Sequence, residues 1–357
     1  MKSMIKLSLI AIMLGIGSQA AVANALQDKI QARKDIVAYG KKFECEDFVK
    51  AANKGDLVLV DAFIRAGIRK TCDYGHSFDA PLAEPNRSRA WANNALSAAL
   101  ARGHFDIAQM LLDYGVPFEQ EREPWHYNAG HHYESYGLYP RPALLGLLYP
   151  SETKKEATGN ERLKALKWAV ERGADVNVTE FIRTEYVWSG TAFAYAFVVS
   201  PLTAAMRLEK LSGDSVDRAA LYERSLSWVE YLLKHGAKLN PPLAPIVEKA
   251  IKSHQSRWSG ANAEIINYPF DLSVLFKVRY ARQGAGIFKD IAAVNYRIKL
   301  ANLLIKYQNA KTDRQKYNQA LKLMEDLWEE DKKGEYFPLA SRKALAELNK
   351  IIRSRMM

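Results

Sequence analysis

Four stretches of the chain end on a glycine and carry the same apolar spacing ahead of it. Counting back three, four, seven and eight residues gives Ile64, Phe63, Val60 and Leu59 from Gly67, and Leu112, Leu111, Ala108 and Ile107 from Gly115. The same count gives Val170, Ala169, Leu166 and Ala165 from Gly173, and Leu233, Leu232, Val229 and Trp228 from Gly236. These offsets put each set on one face of a helix, which must pack against something. The closing glycine suits the left-handed position just past a helix end.

A second signature lies upstream. Asn94-Ala95-Leu96-Ser97-Ala98-Ala99 opens the second of these stretches and Ser200-Pro201-Leu202-Thr203-Ala204-Ala205 the fourth, and Arg141-Pro142-Ala143-Leu144 is a weaker version. Gly103-His104 separates the two predicted helices ahead of Gly115, and Gly55-Asp56 stands at the same distance ahead of Gly67. Helix–turn–helix units in register predict a mainly α repeat protein.

These units resemble the ankyrin repeat, which opens with a T-P-L-H-x-A pattern. Gly173-Ala174-Asp175-Val176-Asn177 and Gly236-Ala237-Lys238-Leu239-Asn240 are similar to its ending. The resemblance spans residues 43–240 and implies a helical solenoid with expanded β-hairpin or loop fingers and a C-terminal helical cap. The family repeat is about 33 residues long, and the glycines here are much farther apart. The surplus falls in the connections that form the fingers, and in the polar runs Ser151 to Asn160 and Glu209 to Asp217, expected as surface loops.

Beyond Asn240 the pattern weakens. Pro242 to Lys252 is a candidate start of a fifth unit, and Leu300, Ala301, Leu304 and Ile305 before Gln308-Asn309 reproduce the apolar column without the glycine. Amphipathic runs near Lys316 to Trp328 and Pro338 to Ile352 read as closing helices, which a repeat array needs to cover its last apolar face. The expected organisation is a signal segment over 1–25, an N-terminal capping segment over 26–42, four degenerate repeats over 43–240, and a repeat continuation with helical cap over 241–357.

The signal segment rests on its own pattern. Lys2 and Lys6 flank the start of the apolar run Leu7 to Ile16, too short for a bilayer-spanning helix, and Ala21-Val22-Ala23 and Ala23-Asn24-Ala25 fit the cleavage motif of a secretory peptide. Cleavage near Ala23 or Ala25 and a periplasmic or secreted location follow as expectations, with no membrane span in the mature form. An uncleaved N-terminal anchor is the competing reading. An oxidising compartment permits Cys45 and Cys72, the two cysteines of the chain, to pair; two free thiols in a reducing compartment are the alternative.

The formal charge is +11, from 51 basic and 40 acidic residues, yet bases and acids alternate as in Glu329-Glu330-Asp331-Lys332-Lys333. That is no nucleic-acid footprint. Phosphate-binding, nucleophile-elbow, zinc-protease and calcium-loop motifs are absent from the sequence, and no cofactor or catalytic residue is expected. Glu123, His126, His131, His132 and Glu134 could ligate zinc, but Trp125, Tyr127, Tyr133, Tyr136 and Tyr139 interleave with them. On a long loop that mixture favours a partner-contact surface over a metal site, with loop packing alone as the remaining reading.

Phe181 to Val199 reads as a hairpin turning at Ser189-Gly190, with Tyr186, Trp188, Phe193, Tyr195 and Phe197 along it. Phe193, Tyr195 and Phe197 share one strand face, which serves either binding or packing on its own repeat. His104 and His235 fall at repeat turns, where a structural role is expected, while His76 and His254 carry no readable pattern. Lys154-Lys155 and Arg342-Lys343 read as solvated faces.

The ankyrin resemblance implies a binding scaffold rather than an enzyme. The candidate contact residues are Trp125, His126, Tyr127, His131, His132, Tyr133, Tyr136, Tyr186, Trp188 and Tyr195, facing a protein partner. An immunity protein that restrains an envelope-targeted toxin is the sharper expectation. A periplasmic chaperone or activator of an envelope enzyme is the alternative, with a metal-binding protein or hydrolase built on His126, His131 and His132 behind it. A basic surface docking on anionic envelope polymer is a further reading, motivated by the net charge.

Overall fold

The computed structural model describes residues 22–72, 94–119, 123–128, 133–139, 142–148, 159–188, 191–206, 218–266, 268–275, 290–330 and 339–356. The chain is mainly helical and divides into two compact units. Residues 1–81, 86–120 and 151–157 form the first, and 82–85, 121–150 and 158–357 the second. The first two predicted repeats therefore belong to one unit and the remainder to the other. The polar runs Ser151 to Asn160 and Glu209 to Asp217 lie outside the described residues, apart from Gly159 and Asn160 in a helix.

In the first unit a helix over 22–38 (α1) precedes α2 (Cys45–Lys54) and α3 (Leu57–Arg65), then α4 (Ala95–Ala101) and α5 (Phe105–Tyr114). α2 pairs with α3 and α4 with α5, while α2 packs on α4 and α3 on α5, so two hairpins of helices stack in parallel. Ala32 and Ile36 of α1 are buried, and Arg65 of α3 reaches Asp28 and Asp35 of α1. Cys45, the first residue of α2, is disulfide-bonded to Cys72 with 5.1 Å between their Cα atoms.

The second unit repeats the stacking rule. α6 (Ala143–Leu148) pairs with α7 (Gly159–Glu171), and α8 (Pro201–Met206) with α9 (Arg218–Lys234); α6 packs on α8 and α7 on α9. α11 (Ile291–Gln308) then packs on α9, and the closing helices α12 (Arg314–Glu330) and α13 (Leu339–Arg353) follow where amphipathic runs predicted them. Leu345, Leu348 and Ile352 of α13 are fully buried. Tyr296 of α11 donates its hydroxyl to the Met206 carbonyl at 2.6 Å, and Ser225 of α9 donates to the Ala205 carbonyl. Two carbonyls left open at the C-terminus of α8 are thus satisfied by side chains of the helices stacked around it.

The apolar columns behave as one design. The residues four, seven and eight before each glycine are buried in all four helices, namely Phe63, Val60 and Leu59; Leu111, Ala108 and Ile107; Ala169, Leu166 and Ala165; Leu232, Val229 and Trp228. The residue three before is half-buried in the first three and buried as Leu233 in the fourth. Gly67, Gly115, Gly173 and Gly236 all have positive φ, from 80° to 93°. Each glycine N–H bonds the carbonyl three residues back, and the next N–H returns to the carbonyl five residues back: Ile68 to Phe63, Val116 to Leu111, Ala174 to Ala169 and Ala237 to Leu232. This double closure caps the helix while turning the chain sharply, and a Cβ would strain it. At the fifth position Asn309 takes the left-handed conformation, φ 46°, one residue later than the glycine register would put it.

A five-stranded sheet completes this unit. β1 (Glu123–Asn128) and β2 (Tyr133–Tyr139) form one antiparallel hairpin, β3 (Glu180–Trp188) and β4 (Thr191–Val199) another, β2 pairs antiparallel with β3, and the two-residue β5 (Ile265–Ile266) runs parallel to β4. The predicted turn of the third finger is in register, with Trp188 opposite Thr191. The histidine-bearing segment, read from sequence as a long loop, supplies β1 and β2. α10 (Pro245–Arg257), expected to open a fifth helix pair, lies against β3 instead. Its Val247 is buried with Phe181, Ala196, Val198 and Ile265. The reason is chemical: β4 presents the small residues Ala194, Ala196 and Val198 on one side, and a helix can approach such a surface closely.

Candidate partner-binding surface

Residues directly opposite in a sheet share a face, so the register sorts the predicted contact positions. One row reads Trp125, Gly137, Ile182, Phe197; the next row on that face reads Tyr127, Ser135, Thr184, Tyr195; a third reads Tyr133, Tyr186, Phe193; Trp188 ends the face opposite Thr191. Trp125, Tyr127, Tyr133, Tyr186, Trp188 and Tyr195 therefore stand on one face of one sheet, although they come from two separate fingers. Ile182, Tyr195 and Phe197 on this face are half-buried.

His126 and Tyr136 belong to the other face, in the row His126, Tyr136, Arg183, Ala196. That is the side α10 covers at β3 and β4. The histidines are not gathered into one cluster by what is described: His126 is a strand residue of β1, and His131 and His132 lie outside the described residues. Among the described residues, no group of three His, Cys, Asp or Glu is placed to hold a metal ion. His76 and the Lys154-Lys155 pair also lie outside.

The covered face holds a polar cluster that sequence reasoning missed. Arg183 and Glu185 are buried and joined at 2.8 Å, and Glu185 also meets the half-exposed Arg257 of α10 at 3.3 Å. His254, one turn earlier on α10, is fully buried, its ring centroid 6.1 Å from that of Phe181. Burial lowers the affinity of its imidazole for a proton, the charge of Arg183 acts in the same direction, and the Asn262 backbone opposes both. The group is held neutral where an exposed histidine would begin to charge. Alternation of Arg183 and Glu185 with Ile182 and Tyr186 along β3 was the one available sign, and it reads from sequence as an exposed strand face.

Elsewhere the chemistry is structural. His104 stands at the N-cap position of α5 without a side-chain capping bond, and its ring fills the space a Cβ at Gly55 would occupy, at 2.7 Å. His235 bonds the Tyr231 carbonyl at 2.8 Å and lies 4.0 Å from the Tyr231 ring. Arg297 is buried on α11, donates to the Leu275 carbonyl at 2.6 Å, and burial pushes its pKa down to about 10, against the Tyr296 and Tyr222 hydroxyls that raise it. It stays charged at neutral pH.

Within the second unit, two amides join stacked helix pairs at the backbone. Asn177, four residues past Gly173, donates to the Gly236 carbonyl at 3.1 Å and accepts from the Lys238 N–H at 2.7 Å. Gln308 of α11 donates to the Ala237 carbonyl at 3.1 Å and accepts from the Leu239 N–H at 3.2 Å. The turn after α9 is thus held from two sides. Asn240, at the position equivalent to Asn177, makes the same pair of bonds to the Phe270 backbone, at 3.0 and 2.6 Å.

No protein-family model matches the chain, and searches of curated proteins and of solved structures find nothing similar to it. Among the described residues no helix is long and apolar enough to cross a membrane.

Proposed function

We propose that the chain is an exported, ankyrin-type binding scaffold that holds one protein partner against the aromatic face of its finger sheet. The supporting observation is the register: two fingers from consecutive repeats contribute six tyrosine and tryptophan positions to one face. Tyrosine and tryptophan are the side chains most enriched in interface hot spots. The Cys45–Cys72 disulfide is compatible with an oxidising compartment such as the periplasm. Within this reading the partner is an envelope-directed toxin that the scaffold restrains as an immunity protein.

Crosslinked pull-down from the envelope fraction, with mass spectrometry, identifies the partner. Trp125→Ala with Trp188→Ala should weaken its retention by about 2 kcal/mol or more, roughly thirtyfold, while His126→Ala with Tyr136→Ala on the opposite face should leave it nearly unchanged. Equal loss from both faces would refute the assignment. Recovery of a resident enzyme in place of a toxin would support the chaperone alternative, and deletion of the gene should be lethal only when the toxin is present.

A further inference from the structure

Most of the large apolar side chains exposed among the described residues lie near the N-terminal end. Val22, Leu26, Ile30 and Val37 of α1 are 69%, 59%, 48% and 68% exposed. With 3.6 residues per turn these four fall on one narrow stripe of the helix, spanning roughly a quarter of its circumference. The stripe is distinct from the face that holds α1 to its unit, where Ala32 and Ile36 are buried.

Charge is sorted around the stripe. Lys29 borders it on one side and Lys34 on the other, both exposed, while Arg33 falls within the stripe and turns its guanidinium over the Phe43 ring, 4.5 Å from the centroid. Asp28 and Asp35 fall on the far side of the helix, where Arg65 of α3 engages them at 3.0 and 3.8 Å. The acids are thus drawn toward the protein, and Lys29 and Lys34 stand beside the apolar residues. Lysines flanking an apolar stripe can lay their stems along it and keep their charges at its edge, the arrangement of a helix lying in a membrane interface. A second copy of the chain fits less well. One narrow stripe offers well under the roughly 800 Å² that each partner gives to a stable interface, and the flanking cations of two copies would meet.

We propose that α1 docks the protein on the surface of an anionic phospholipid bilayer, with Leu26, Ile30 and Val37 entering the interface and Lys29 and Lys34 contacting headgroups. The attachment is peripheral and reversible, since three or four apolar side chains bind only weakly without the electrostatic contribution. It concerns a different unit from the finger sheet and does not depend on the partner read there.

The test is cosedimentation of the chain, in the form its producing cell leaves it, with vesicles of phosphatidylglycerol and phosphatidylethanolamine or of phosphatidylcholine alone. Binding to the anionic vesicles should fall roughly tenfold or more in Leu26→Gln/Ile30→Gln/Val37→Gln, fall as salt rises from 0.05 to 0.5 M by about the same factor, and be weak on phosphatidylcholine. Circular dichroism and melting of the variant should match the parent, because the three side chains are exposed. Equal binding by parent and variant, equal binding to both vesicle types, no binding at all, or a parent dimer that the substitutions dissociate would each overturn the proposal.

Discussion

Replacing Asn177 by alanine removes both bonds that this side chain makes to the turn after α9. A protein hydrogen bond contributes about 1 kcal/mol net, less where water can replace it. Asn177 is half-buried and its two bonds of 3.1 and 2.7 Å reach backbone groups near the surface, so the cost should be about 1 to 2 kcal/mol. Gln308→Ala removes its two bonds to that turn, of 3.1 and 3.2 Å, in a less accessible place, and one of 3.3 Å to the Tyr307 carbonyl, and should cost about 1 to 3 kcal/mol. Urea unfolding measures the totals. Residue-resolved amide exchange tests the geometry more sharply, because the two amides protect different N–H groups. In Asn177→Ala the Lys238 N–H should exchange faster, by a factor of ten for each 1.4 kcal/mol lost locally, with a smaller change at Leu239. Gln308→Ala should reverse that order. The double variant should depart from additivity, because both side chains brace one turn. Equal acceleration at both amides in either variant, or none at Lys238 in Asn177→Ala, would refute the clamp.

Two further outcomes are expected. Cys45 and Cys72 are 27 residues apart, so reduction or Cys72→Ser should cost about 3.5 kcal/mol by the chain-entropy account; an unchanged urea midpoint with and without dithiothreitol would contradict it. His254 carries the pH dependence: its folded pKa lies below the ordinary 6.5, so below pH 6.5 the unfolded chain takes up a proton that the folded chain refuses. Stability should fall as pH drops through that window and level off beneath the folded value, and His254→Gln should flatten the profile between pH 7.5 and 5; parallel profiles for the two proteins would refute the assignment.

The sequence by itself determined the helices and their ends, because both follow from local rules. An apolar column at helical spacing must be buried, and a glycine after it allows a left-handed closure; Leu111 and Gly115 satisfy each requirement within a few residues of chain. The hairpin β3–β4 was legible for the same reason, through alternation on either side of Ser189-Gly190. Only the tertiary structure decided what these elements meet. Asn177 bonds a backbone 61 residues away and Gln308 one 69 residues away, and nothing near Asn177 in the chain announces its distant partner. The joining of two fingers into one sheet is likewise a contact between β2 and β3, separated by a helix pair, so the aromatic face exists only once both repeats have folded. Arg183, Glu185 and His254 show the limit most clearly: short-range pattern puts charged residues in water, and only the docking of α10 on the sheet removes these three from it.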